Sequence, residues 1–490
     1  MAGSGAVTTY AELDARSNQG AQLFRQLGLR RGDVIALLLD NVSEFFEHVW
    51  AAQRAGLYYV CISTRLVAAE VGFILGDSEA KVLIAGSDLA PDFADQAQAH
   101  GVSLFTLGPS NAAAARDFLA ERAAMPAAPI GDESPGNDML YSSGTTGRPK
   151  GIKPPLPVGP LAQTNGLTEM GRDLYGMSEE TVFLSPAPLY HAAPLRWCMS
   201  VQKLGGTVIV MEKFDAEQAL ALIERYRVTH AQWVPTHFVR MLKLDDTVRS
   251  RYDVSSLRTT FHAAAPCPVE VKQAMMAWWG PIIHEFYGGT EANGLTSIGP
   301  QEWLERPGSV GRPVWGVPKV CDEDDNVLPP RTTGAIYFAD GAPFEYHRDP
   351  EKTAASRNRH GWTTIGDLGW LDEEGYLYLT DRKSFMIISG GVNIYPQEVE
   401  DQLVLHPKVA DVAVIGAPDA ELGEKVVAVV QPADFSQAGP ELAAELLAWL
   451  RPRIGRVKIP RQIDFVEALP RTPTGKLLKR EVRGPYGAST

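Results

Sequence analysis

Cysteine is scarce in this chain: there are four among 490 residues, Cys61, Cys198, Cys267 and Cys321, with no CxxC pair and no metal-ligand spacing. That argues against a disulfide scaffold, a zinc site or a cysteine nucleophile, and reads as free, buried thiols in a reducing cytoplasm. Long apolar runs are absent as well, and none reaches the roughly 18 residues that would span a bilayer. The start, MAGSGAVTTYAELDARS, has no basic stretch ahead of an apolar core, so neither an integral membrane protein nor a secretory signal is expected. Positive charge is in deficit, with 46 Lys and Arg against 59 Asp and Glu for a net charge of −13. Nucleic acid and anionic membranes are therefore disfavoured as main partners, because either needs a basic face. Small anions remain admissible where cations gather locally, as Arg148, Lys150 and Lys153 do. What is present is ordinary: 45% hydrophobic and 21% charged residues, in a chain long enough for two or more domains.

The densest chemistry lies in YSSGTTGRPKG, residues 141–151. Ser142, Ser143, Gly144, Thr145, Thr146 and Gly147 supply hydroxyls and approachable backbone N–H groups, the donors a polyphosphate needs. Arg148 and Lys150 add positive charge. A Gly/Ser/Thr run alone is more often a linker. Here the apolar Met139, Leu140 and Tyr141 lead in like the end of a strand, and Pro149 stiffens the turn. The pattern is not a Walker loop: two residues, not four, separate Gly144 from Gly147, and Lys150 follows a proline.

Around this loop, helical and strand patterns alternate. A helix is expected over 10–28, then strand 34–39, helix 43–55, strand 58–62, helix 67–75 and strand 81–85. The strand candidates are continuous apolar runs, the mark of strands covered on both faces, so the fold class expected is α/β with parallel-rich sheets. Residues 87–135 are Ala-, Asp- and Pro-rich and suggest only a surface helix near 111–124. Pro154, Pro155, Pro157 and Pro160 make 154–160 irregular. The alternation resumes from 207 to 287. Past Gly299 short strands and turns predominate, implying a β-rich subdomain. A polar bridge, Asp381 to Phe385, then precedes a unit of about a hundred residues with α+β patterning.

Four further stretches carry candidate chemistry, each with a plainer alternative. Ala263-Ala264-Ala265-Pro266, between strand and helix, would let a flat group lie against the backbone at the carboxyl end of a sheet; tight packing explains it equally well. Tyr287-Gly288-Gly289-Thr290-Glu291 offers an aromatic for a base, glycines for close approach, a hydroxyl near phosphate and a carboxylate for Mg²⁺; a polar turn is as common. Asp367, in TIGDL, suits ribose hydroxyls, or is a turn residue. Lys476, in RTPTGK, is a lysine on a Gly/Pro loop, where a solvated surface lysine is the ordinary outcome.

Taken together, YSSGTTGRPKG, YGGTE, TIGDLG, DRKS and PRTPTGK, in this order and spacing, closely resemble the adenylate-forming superfamily of acyl- and aryl-CoA synthetases, peptide-synthetase adenylation domains and luciferases. SGGVNIYPQEVE looks most like the bacterial fatty-acid and aryl-acid CoA ligases. The resemblance implies a large amino-terminal domain over 1–381, a hinge over 382–385 and a small mobile domain over 386–490. It implies ATP, Mg²⁺ and coenzyme A alongside a small-molecule carboxylic acid, with a homodimer left open. Ser142 to Gly147 and Lys150 would hold the β- and γ-phosphates. Ala264, Ala265, Tyr287 and Gly288 would frame adenine, Thr290 would touch the α-phosphate, and Glu291 the metal. Asp367 and Arg382 would fix the ribose, and Lys476 would bridge substrate carboxylate and α-phosphate. Tyr190, His191, Trp197, Val234 and Gly289 would line the acyl site, with His191 at its aromatic entrance, and Ser389, Gly390 and Gly391 the pantetheine channel.

The implied activity is ATP-dependent acid:CoA ligation through an acyl-adenylate. An enzyme of one half-reaction only, and a non-catalytic acyl or nucleotide binder, are the alternatives; retention of Lys476 argues against the last. Two departures from the family pattern stand out: Ser384 and Phe385 occupy positions near the hinge that are often Lys or Asp, and the TYAEL stretch begins already at Thr9. The acid itself is not legible beyond a hydrophobic, fatty, aryl or polycyclic group.

Overall fold

In the computed structural model, which describes residues 1–142, 149–471 and 477–487, the apolar run near the start is the strand Val34–Leu38, with all five side chains buried. It pairs in parallel with Tyr58–Cys61 on one side and Ala80–Ala85 on the other. Ser103–Thr106, Arg116–Asp117 and Asn137–Asp138 complete a six-stranded sheet of parallel pairs. Burial on both faces is why these strands read as unbroken hydrophobic runs. The helix Tyr10–Gln26 starts at a capping box in which Thr9 and Glu12 satisfy each other's backbone N–H. The chain divides into two compact units, one of residues 1–232, 252–259 and 344–354, the other of 233–251, 260–343 and 355–490.

The first unit also holds the parallel strands Val182–Ser185 and Thr207–Val210 and all but the last residue of His230–Trp233. Residues 87–135 contain more than one surface helix. Helix Ala90–Ala99 and strand Ser103–Thr106 lie there, and the helix expected near 111–124 is only Phe118–Ala123. Helix Ala90–Ala99 buries Ala90, Phe93, Ala94 and Ala97, and alanines give little hydrophobic contrast, so the helical period was faint in sequence. The proline segment 154–160 forms no regular element and is held through its carbonyls. Tyr58 Oη donates to Pro154 O at 2.7 Å, Asn137 Nδ2 to Pro155 O at 3.2 Å, and Arg31 Nη2 to Pro157 O at 2.8 Å.

In the second unit, which takes up strand Thr259–His262 from its second residue, that strand runs parallel to Ile283–Gly288, joined by helix Val269–Trp279. Antiparallel strands follow in the spatial order Leu295–Ile298, Ser309–Trp315, Leu377–Arg382, Asp367–Leu371, Gly334–Ala339 and Val317–Cys321. The strands past Gly299 are not shorter than those before it; what changes is the pairing, which turns from parallel to antiparallel at Leu295–Ile298. Nearer the carboxyl end, Val409–Asp419 and Gly423–Pro432 pair antiparallel, flanked by Gln462–Phe465 and the hairpin Ile387–Ser389 and Val392–Ile394. Helices Pro396–Val404 and Pro440–Leu450 cover this sheet around Val399, Leu403, Val414, Val430 and Leu446. The architecture is α/β with large parallel-rich sheets. No helix among the described residues is long and apolar enough to cross a membrane, and the four cysteines are free.

Candidate active site

The parallel pair Thr259–His262 and Ile283–Gly288 delivers two candidate stretches to the same carboxyl end of the sheet. Past His262 the chain carries Ala263, buried, then Ala264 to Pro266, exposed, with Ala264 at φ +75°. A left-handed alanine is held by its surroundings, because an isolated one is disfavoured by on the order of 1–2 kcal/mol. The second strand ends in Tyr287 and Gly288. At Gly289 a Cβ would stand 2.8 Å from Glu291 Oε2 and 3.0 Å from Ile365 Cδ1, so the Glu291 and Ile365 side chains close over the glycine backbone.

Tyr287 Oη donates to Asp367 Oδ2 at 2.8 Å, and Arg382 Nε stands 3.2 Å from Asp367 Oδ1. Asp367 opens one strand, Arg382 closes the next, and the two are register partners. Each carboxylate oxygen retains a second lone pair, so the group fixed by Tyr287 and Arg382 is still able to accept two ribose hydroxyls. Burial and the adjacent carboxylate hold the Tyr287 hydroxyl well above its ordinary pKa, so it stays a donor. The Tyr287 ring lies against Phe338, with centroids 6.2 Å apart, and Gly294 makes room for that ring: a Cβ there would fall 2.1 Å from Phe338. Asn293, fully buried, extends Nδ2 to Thr363 O at 3.3 Å and Thr363 Oγ1 at 3.2 Å. It ties Thr290 and Glu291 to the segment leading into Asp367. Phe338, Asn293 and Thr363 went unread in sequence; each is an ordinary residue whose position only the folded chain reveals.

In the first unit, Leu140–Ser142 and Lys150–Ile152 form a hairpin whose last pair is Ser142 with Lys150. The strand-like lead-in expected of Leu140 and Tyr141 is present. Ser143, Gly144, Thr145, Thr146, Gly147 and Arg148 lie outside the described residues, as does Lys476; of Ser142 only the backbone is described. The hairpin base is tied in place. Tyr141 Oη donates to Asp77 Oδ2 at 2.6 Å, His347 N donates to Gly151 O at 2.7 Å, and Lys150 Nζ sits 5.2 Å from the Tyr346 ring centre. A Cβ on Gly151 would meet the Tyr141 and His347 side chains at 3.0–3.2 Å.

The acyl-site candidates fall in both units. His191 immediately precedes helix Ala192–Lys203, its ring 4.8 Å from that of Tyr190. The turn before it is held by Asn41, which accepts from Leu189 N at 2.7 Å and donates to Ala187 O and Met211 O. Trp197, one turn into the helix, is fully buried against Tyr175 and belongs to the packed interior of this unit. Its neighbour Arg196 grips the buried Asp138 through two bonds of 2.7 and 3.0 Å, which ties the helix to the strand leading into the Leu140–Ser142 and Lys150–Ile152 hairpin. Val234, buried, and Gly289 belong to the second unit.

Ser389 pairs with Val392, and Gly390 (φ +56°) and Gly391 (φ +77°) form the two-residue turn between them. Nothing lies within 4 Å of a Cβ on Gly391, so the turn is open on that side. The described residues on either side of Lys476 are tied to their surroundings. Arg471 pairs with Asp411 and bridges to Leu477, and Lys479 Nζ lies 2.7 Å from Glu400. Among the described residues no group of three or more His, Cys, Asp or Glu side chains is arranged for a metal. The single, half-buried carboxylate of Glu291 therefore fits a Mg²⁺ that arrives on phosphate oxygens and keeps most of its waters, and does not fit a caged cation.

Residues 2–343 match the AMP-binding enzyme family and residues 398–476 the AMP-binding enzyme C-terminal domain. A feruloyl-CoA synthase of Amycolatopsis sp. is 36% identical over 487 residues, 99% of this chain and 95% of the relative. A long-chain-fatty-acid–CoA ligase, FadD13 of Mycobacterium tuberculosis, is 33% identical over 489 residues, 98% of this chain and 93% of the relative. Among solved structures, o-succinylbenzoate CoA synthetase of Bacillus subtilis in complex with the acyl-adenylate intermediate superposes with a TM-score of 0.81 at 28% identity, covering 98% and 93% of the two chains. The chain belongs to the AMP-binding, adenylate-forming enzymes.

Proposed function

We propose that this protein is an ATP-dependent carboxylic acid:CoA ligase that works through an acyl-adenylate and acts on a hydrophobic fatty, aryl or polycyclic acid. The observation that carries the reading is the Tyr287–Asp367–Arg382 arrangement, with Gly289 and Glu291 on the same loop, which suits a nucleoside whose phosphates extend past Thr290. Ala264, Ala265, Tyr287 and Gly288 frame the base, and Asp367 and Arg382 take the ribose. Thr290 meets the α-phosphate, and Ser142 to Gly147 with Lys150 take the β- and γ-phosphates.

A carboxylate is a poor acyl donor because oxide would have to leave. Its oxygen therefore attacks the α-phosphorus first; the new P–O bond forms as the bond to the bridging oxygen breaks, and pyrophosphate departs. Two unit negative charges 4 Å apart repel by about 4 kcal/mol at an effective dielectric constant of 20, about a thousandfold in rate, which is the barrier Lys476 and Lys150 counter. Bound at Glu291, Mg²⁺ would supply further neutralisation of the phosphate oxygens. In the second step the CoA thiol loses its proton, sulfur bonds to the acyl carbon and AMP leaves. A rotation about 382–385 would withdraw Lys476 and bring Ser389, Gly390 and Gly391 beside the pantetheine. Tyr190, His191, Val234 and Gly289 would receive the acid, with Trp197 packed in the interior, and the names of the relatives, feruloyl and long-chain fatty acid, support a hydrophobic acid.

The test is acid-dependent exchange of labelled pyrophosphate into ATP across a panel of fatty, aromatic and polycyclic acids, followed by CoA thioester formation. Exchange with at least one of them is expected, falling on the order of a hundredfold or more in Lys476→Ala. No exchange with any acid would remove the adenylation step; exchange without thioester would leave an enzyme of one half-reaction.

A further inference from the structure

The loop from Ala263 to Pro268 has an exposed tip of small residues and two buried ends, and a single carboxylate stands between the residues that flank it. Glu285 Oε2 accepts from Lys272 Nζ at 2.7 Å and lies 3.3 Å from His262 Nε2. His262 is the last residue before the loop and the register partner of Glu285 on the neighbouring strand. Lys272 stands in the first turn of the helix that follows the loop, fully buried, its ammonium 4.6 Å from the Trp303 ring centre. Between these ends Ala264 holds a left-handed backbone, and Pro266 and Pro268 stiffen the return.

An apolar pair of the same volume would hold the helix on the sheet equally well, since burying two charges offsets much of what their attraction returns. A carboxylate on the strand that pairs with His262, bonded to Lys272, does something an apolar pair does not: the ladder fixes the residue before the loop and the bond fixes the helix after it within hydrogen-bond tolerance. We propose that Glu285 and Lys272 are positioning residues for base recognition, pinning the two ends of the 263–268 loop so that Ala264 and Ala265 keep the conformation that selects adenine. This rests on the reading that Ala264, Ala265 and Tyr287 frame the base. Neither Glu285 nor Lys272 touches the nucleotide; they act through the loop.

The test measures the dissociation constants of AMP and GMP on the full chain by calorimetry, which needs no knowledge of the acid. In Glu285→Gln and in Lys272→Met, AMP binding weakens by roughly tenfold, about 1.4 kcal/mol, while GMP binding changes by less than about twofold, so the preference for adenine collapses. The double variant is no worse than either single one, because both remove the same link. Glu285→Asp, which keeps the charge and shortens the reach, gives the same readout if the glutamine variant does not fold. A lowered melting temperature with an unchanged AMP:GMP preference would overturn the proposal and leave the pair purely structural. Tyr287→Ala separates the two levels. If it loses the preference and Glu285→Gln keeps it, the positioning role fails; if Tyr287→Ala also keeps it, the adenine assignment itself is wrong.

Discussion

Glu47 and Glu285 are both buried glutamates that grip cations beside a buried, neutral histidine, one in each unit of the chain. Glu47 is bonded by Arg122 and, at 2.9 Å, by Arg16, and its neighbour His48 packs edge-on against Phe118. Glu285 holds Lys272 and stands beside His262. Burial pushes His48 down to about 3 and lowers His262 as well. The difference lies in what the chain does next. The partners of Glu47 sit on helices Tyr10–Gln26 and Phe118–Ala123, which carry no candidate ligand. Those of Glu285 bracket the small-residue loop, and two residues after Glu285 comes Tyr287. A buried ion pair says nothing about function by itself; its sequence neighbours do.

The largest effect that would break this comparison comes from Glu47→Ala, which strands Arg122 in a buried position. A loss of about 3–5 kcal/mol is expected, read from denaturant midpoints, with AMP affinity of the folded protein unchanged. A fall in AMP affinity would make Glu47 more than scaffold.

An intermediate effect comes from pH. His48 has a folded pKa near 3 against an ordinary value of 6.5, so below pH 6.5 the unfolded chain binds the additional proton. The stability it contributes is complete above pH 6.5 and is lost as pH falls toward 3, by about 1.4 kcal/mol per pH unit. In His48→Leu the acid slope of the unfolding free energy should flatten by up to one proton; an unaltered slope would mean that other groups govern acid lability.

The smallest expected effect is at the exposed pair Arg331 and Glu373, 2.9 Å apart with both side chains more than half exposed. Arg331→Ala should alter stability by less than about 1 kcal/mol. A larger loss would show that surface pairing counts in this protein as much as buried pairing.

The elements near the site were legible because strands buried on both faces leave continuous apolar runs, and because YGGTE and TIGD place unusual residue types at turn positions. The supports were not. Glu285, Lys272 and His262 are spread over 24 residues and each looks generic, and Asn293 resembles any polar residue after a turn. Helix Ala90–Ala99 was hidden for another reason, its buried face being mostly alanine. Trp197 shows the converse: an aromatic near a motif suggests a pocket wall, whereas its spacing along helix Ala192–Lys203 puts it in the core.

The proline segment 154–160 is poor in amide protons. Of its seven residues only Leu156, Val158 and Gly159 carry an amide proton, so deuterium uptake over this stretch saturates at three backbone sites however firmly Tyr58, Asn137 and Arg31 hold it. Its order is thinly reported from within. The donors that clasp its carbonyls report more, which makes the Tyr58 hydroxyl and the Arg31 guanidinium the better probes of whether this stretch stays seated beside the hairpin of Leu140–Ser142 and Lys150–Ile152.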